Sequence, residues 1–214
     1  MLRHIGKVSL IAGLALTLGA CSLLPAAKPV QSWTLTPAAE TAVHSQVQAR
    51  TRVHPRAEVQ LSELRILRPQ AQDLLNGSYM LVVPENQPVS VYQGTRWGAT
   101  IPTLWRDYLV SALQQDSRFA HVSSDEVRLA ARYELVSRLD AFQSEYRDGQ
   151  PVAVIRGYLQ LVEVDSRRIL AERALEGTQP AAGKEIDQVV DAFSALMANS
   201  SQEIRDWLLT VAKD

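Results

Sequence analysis

Between Val91 and Phe119 the sequence reads VYQGTRWGATIPTLWRDYLVSALQQDSRF, and a change of hydrophobic period inside it commits the chain to a helix beside a strand. Up to Tyr92 the residues alternate as an extended strand does, and Gly94 and Gly98 then interrupt the pattern with backbone free to take positive φ. Pro102 suits the first turn of a helix, where its missing N–H would have had no partner. Ile101, Leu104, Trp105, Tyr108, Leu109, Ala112 and Leu113 follow at the i, i+3, i+4, i+7 spacing of a helix with one buried face. Such a stripe needs a surface to lie on, and the preceding strand implies a sheet.

The remaining segments supply that sheet. Trp33 and Leu35 alternate with Ser32, Thr34 and Thr36 as a short first strand, and Ala38 to Ala57 is a polar loop. Glu58 to Leu67 alternates with a shift of phase at Ser62-Glu63, which predicts a bulge or bend. Leu74-Leu75-Asn76-Gly77 leads into a strand over Tyr79 to Val83, and Val89 to Tyr92 returns as its hairpin partner. Ser117 to Val122 reads as a brief strand. Tyr133 to Tyr146 and Val152 to Val164 are long β-rich runs joined through Asp148-Gly149, a strong hairpin signal. A second turn at Asp165 to Arg168 returns the chain as Ile169 to Thr178, completing a three-strand meander. Lys184 to Lys213 carries an apolar stripe from Ile186 to Val211 at helical period, with a bend expected at Asn199-Ser200-Ser201. The predicted class is α+β: an antiparallel-rich β-sheet with two main helices packed on one face.

The first twenty residues are of another kind. Arg3 and Lys7 precede an apolar run from Val8 to Leu18, shorter than the roughly twenty residues that span a bilayer. Leu18, Gly19 and Ala20 then lead into Cys21, the sole cysteine, in the form of a bacterial lipobox. The residue must be a thiol because the diacylglyceryl group is attached through sulfur. Cleavage before Cys21 frees an amine for further acylation, and each buried CH₂ adds about 0.8 kcal/mol of membrane affinity. Residues 1–20 are therefore read as a lipoprotein signal peptide, 21–32 as a lipidated tether containing two prolines, and 33–214 as a single periplasmic domain. Ser22 after the cysteine, where Asp would retain a lipoprotein at the inner membrane, predicts an outer-membrane anchor. With Cys21 acylated, no disulfide can form, and the domain rests on its core alone.

Of the 22 basic side chains, removal of Arg3 and Lys7 leaves 20 against 23 acidic ones, a formal charge of −3. That balance argues against nucleic acid as a partner. No reactive constellation is apparent. His4, His44, His54 and His121 lack metal-ligand spacing and adjoin no nucleophile motif, and Gly94 to Gly98 lacks the Lys and Ser/Thr of a nucleotide loop. The chain is read as a non-enzyme with no metal and no cofactor beyond the covalent lipid on Cys21. Arg and Trp are enriched at binding hot spots, which makes Arg96 and Trp97, with Tyr92 beside them, the candidate partner-binding residues. Trp105, at helical spacing, reads as core.

The strand ending in Tyr92, the turn bearing Arg96 and Trp97, then Pro102 and the leucine-rich helix closing at Arg118-Phe119, resemble the ABC-type transport auxiliary lipoproteins, the paraquat-inducible protein C type among them. The resemblance extends from about Trp33, where Tyr is usual, to the last helix, and is densest over Leu74 to Phe119 and Tyr133 to Leu170. It implies an accessory lipoprotein of a mammalian-cell-entry (MCE) lipid transport system, contacting an MCE-domain protein of an ABC transporter, binding no ATP itself, and able to act as a homo-oligomer. The alternative from another class is a lipoprotein scaffold for assembly of outer-membrane barrels or lipopolysaccharide. A third is a periplasmic hydrolase whose site is not legible.

Overall fold

The computed structural model describes residues 29–37 and 61–212. The predicted signal peptide, the lipobox Leu18-Gly19-Ala20-Cys21, the tether up to residue 28 and the Ala38–Ala57 loop lie outside the described residues.

One strand organises the sheet. β7 (Tyr133–Arg147) carries β8 (Gln150–Glu163) antiparallel along one edge. Along the other edge three short strands follow one another, all parallel to it. β2 (Leu64–Ile66) lies opposite Tyr133–Leu135, β3 (Gln70–Ala71) opposite Arg138–Leu139, and β4 (Tyr79–Val83) opposite Ser144–Glu145. β5 (Ser90–Trp97) adds antiparallel to β4, and β1 (Gln31–Trp33) parallel to β5. β6 (Val122–Ser124) adds parallel to β2, and β9 (Arg168–Pro180) antiparallel to β8. The nine-stranded sheet is therefore mixed, which corrects the antiparallel-rich expectation. The cause is the route between β5 and β7. It passes through α1 (Ile101–Gln114) to β6, which runs opposite to β5, and residues 125–132 then carry the chain across β2 into β7 in the same direction as β6.

The meander forms as its turns require. Asp148 and Gly149 have φ of 52° and 72°, the two positive values that a two-residue type I′ hairpin demands. Glu63, at the expected bend, has φ 56°, and its carbonyl accepts the N–H groups of Arg132 (3.0 Å) and Tyr133 (3.3 Å). The bend thus fastens β2 to the start of β7.

Two details depart from the sequence reading. β1 is Gln31–Trp33, not a strand running on to Thr36. α2 (Ile186–Val211) continues as one unbroken helix through Asn199-Ser200-Ser201, with both serines buried. Small residues are needed there because α2 lies close on β9: a Cβ at Gly177 would come within 2.8 Å of Leu196 Cδ1 and 3.4 Å of Ser200 Oγ. Glu185 and Gln188 close the start of α2 as a reciprocal capping box.

Both helices share one core with the sheet. Trp105, Leu109 and Leu113 of α1 and Met197 and Leu208 of α2 are fully buried together with Leu135 and Ile155 of the sheet.

Candidate docking surface

β5 determines what the predicted trio can do. Gly94 takes φ 73° and the register of β5 against β4 slips between Tyr79 and Leu81, so the strand bulges at Gly94 and resumes as far as Trp97. Gly98 has a different reason to be glycine: a Cβ there would meet Thr34 Cγ2 at 2.9 Å. Once the strand resumes, Arg96 and Trp97 alternate in facing. Trp97 is 1% exposed and stands edge-on to Phe142 (centroids 5.8 Å, 76°) and Phe193 (5.3 Å, 82°), which stack on each other at 5.0 Å. Tyr92 is half-buried, its hydroxyl donating to Ser144 Oγ at 3.1 Å, and burial raises its pKa. Of the three, Arg96 alone is exposed. A buried indole offers a partner nothing, so the structure separates Trp97 from the surface on which Arg96 stands.

Arg96 has different company. Tyr79, its register partner on β4, is 59% exposed, and paired residues share a face. Leu74, 60% exposed, stands close by on the 3₁₀ turn Asp73–Asn76: a Cβ at Gly77 would lie 3.2 Å from the Tyr79 ring and 3.9 Å from the Leu74 carbonyl. The backbone beneath is firmly held. Trp97 N–H donates to Ser78 O at 2.7 Å and Ile101 N–H to Gly77 O at 2.9 Å. The result is a tyrosine and an arginine paired across a firmly held hairpin at the entry to α1, with the exposed Leu74 on the turn that precedes it. Sequence reading missed Tyr79 and Leu74; Tyr79 is followed by the buried Met80, Leu81 and Val82, so no alternation marks it as outward.

A second unread residue is Arg106, a charged side chain only 2% exposed. Its Nε donates to Asp107 (2.9 Å), Nη1 to Asp125 (2.9 Å) and Nη2 to Glu126 (2.7 Å). Burial opposes the charge, but the three carboxylates outweigh it and raise the pKa further. Burial likewise pushes the Asp125 carboxyl up, yet the Arg68 N–H and the Arg106 guanidinium hold it below its ordinary value. This cluster ties α1 to the loop after β6.

The face of the sheet turned away from the helices is polar. Glu145 accepts from Arg147 (3.0 Å), Arg156 (2.9 Å) and Gln143 (3.1 Å), Arg138 pairs with Asp140, and Glu172 accepts from Tyr158 and Gln160. Among the described residues no group of three His, Cys, Asp or Glu side chains is placed to hold a metal ion, and no helix is long and apolar enough to cross a membrane.

Comparison decides the family. A sequence model of the ABC-type transport auxiliary lipoprotein component matches residues 44–205. The chain belongs to that family. Its fold resembles the crystal structure of protein XCC0632 from Xanthomonas campestris, with 21% identity over 86% of this chain and 95% of that one and a TM-score of 0.67. It also resembles an uncharacterized protein, with 15% identity over 84% of this chain and 99% of that one and a TM-score of 0.63. No curated protein sequence matches. The auxiliary lipoprotein family is a component of transport systems and not a known enzyme family, and its description fits a membrane-anchored chain.

Proposed function

We propose that this auxiliary lipoprotein is anchored to the outer membrane through lipid on Cys21, faces the periplasm, and serves an MCE-type ABC system that moves lipid between membranes. Its contribution is contact. The exposed Tyr79 and Arg96 pair, with Leu74 beside it, docks the MCE-domain protein. The observation that carries this reading is the cross-strand placement of Tyr79 opposite Arg96 on a firmly bonded hairpin, since tyrosine and arginine are the residues enriched at binding hot spots and rigidity reduces the entropy lost on docking.

Co-purification of the full-length lipoprotein from membranes tests it. Tyr79→Ala with Arg96→Ala is expected to weaken recovery of the MCE-domain protein while the unfolding midpoint stays close to that of the parent. Undiminished recovery would place docking elsewhere, and recovery of barrel-assembly subunits with no MCE protein would replace the reading by a scaffold of outer-membrane assembly. For the anchor, Cys21→Ser is expected to accumulate as precursor without incorporating a palmitate analogue. Equal labelling would remove the anchor from the proposal.

A further inference from the structure

β9 is paired along one edge only. Its register with β8 runs from Arg168 to Pro180, and among the described residues no strand pairs with its other edge. An open edge of 13 residues presents a row of backbone donors and acceptors that accepts a further strand unless something blocks it. The common blocks sit at its ends: a register slip opposite Leu161 and Val162 near the start, and Pro180 at the finish. Between them Glu172 and Arg173 are engaged across the faces of the sheet. Glu172 accepts from Tyr158 (3.0 Å) and Gln160 (2.6 Å), and Arg173 donates to Glu203 of α2 (2.9 Å). Leu175 is buried in the core shared with α2, and Gly177 lies close against Leu196.

The outer face of this edge has a definite charge pattern. Cross-strand rows run Val136, Gln160, Glu172 and Ala141, Arg156, Glu176. Each row ends at the edge in a carboxylate. Glu172 is bonded only to neutral groups, and Glu176 makes no ion pair among the described residues. The two are four residues apart and therefore on one face of the strand. A tenth strand would set side chains directly opposite both, where opposite charges stabilise and like charges do not. We propose that β9 takes up, by strand addition, an extended segment of another protein that carries cationic side chains four residues apart. A second copy of β9 does not meet this requirement. Its own cations, Arg168 and Arg173, are five residues apart, and Arg173 is turned toward α2.

The test uses the full-length lipoprotein in nanodiscs of zwitterionic lipid and two labelled ten-residue peptides of alternating valine and threonine. One carries lysines four apart, on one face; the other carries them three apart, on opposite faces. Fluorescence anisotropy is expected to show the first binding about four-fold tighter, since the second can set only one lysine opposite a carboxylate and the two differ by one favourable cross-strand pair. The preference is expected to vanish in Glu172→Gln with Glu176→Gln, and equally in Glu176→Gln alone, which leaves the Tyr158 and Gln160 bonds intact but only one carboxylate for either peptide to meet. Thermal midpoints confirm that the variants are folded. Equal binding of the two peptides, binding of neither, or a preference unchanged in both variants would overturn the proposal. So would concentration-dependent protection of the Glu172–Thr178 amides without peptide, because a second copy would then hold the edge.

Discussion

Arg106 Nη1 lies 2.9 Å from Asp125 Oδ1 although nineteen residues separate them in sequence, and the contact joins a buried position on α1 to the loop that follows β6. Hydrogen bonds to charged groups are each worth about 1.5–3 kcal/mol, though the acceptors are partly solvated and would recover water if the arginine were lost. Arg106→Met keeps much of the aliphatic packing and removes the bonds, so a loss of about 2 kcal/mol is expected from urea unfolding. An unchanged midpoint would mean that the cluster contributes nothing net.

Trp97 and Arg96 are neighbours with opposite expected outcomes. Trp97→Ala empties the space between Phe142 and Phe193 and is expected to cost about 3–5 kcal/mol. Arg96→Ala is expected to change stability by less than about 0.5 kcal/mol. Guanidinium chloride titrations of both variants decide the matter, and similar losses would contradict the strand alternation described above.

Gly157 faces the backbone of β7. A Cβ there would sit 2.2 Å from the Arg138 carbonyl oxygen, at the point where the β7 and β8 register slips. Main chain cannot swing aside as a flexible side chain can, so Gly157→Ala is expected to destabilise by about 3 kcal/mol. A thermal midpoint equal to that of the parent would show that the ribbon yields at this bulge.

Asp116 sets a pH dependence. Burial raises its pKa, but the Arg118 guanidinium and N–H, with Arg205 nearby, more than offset this and hold the carboxyl below its ordinary value of 3.8. A depressed carboxylate adds stability that is complete above the unfolded value and is lost as pH falls through the folded one. Thermal midpoints of the parent and of Asp116→Asn are therefore expected to differ at pH 6 and to converge as pH falls below about 3.8. Parallel curves down to the acid limit would assign the stabilisation to other groups.

What could be read from the sequence was local. Asp148-Gly149 announced its turn because only a few residue pairs tolerate two positive φ values, and α2 announced itself through a long stripe at a single period. The three parallel strands beside β7 could not be read, because which strand neighbours which depends on contacts tens of residues apart. Trp97 was misplaced for a narrower reason. Gly94 looks like an end of strand, and only the resumption beyond the bulge fixes which of Arg96 and Trp97 faces inward. Arg106 left no signal, since a cation on a helix is ordinarily solvated.

The placement of β7 also sets an order of events for the growing chain. β2, β3 and β4 all precede it by at least fifty residues, yet each pairs with it directly, so the β1-β5-β4 and β2-β6 pieces are not joined into one sheet until residues 133–147 arrive. β7, β8 and β9, joined by two tight turns, need nothing upstream to form their ribbon. The chain therefore emerges with its separate pieces first and the strand that unites them last: the earlier half keeps one edge of β4 and one of β2 unpaired until the later half supplies the template between them.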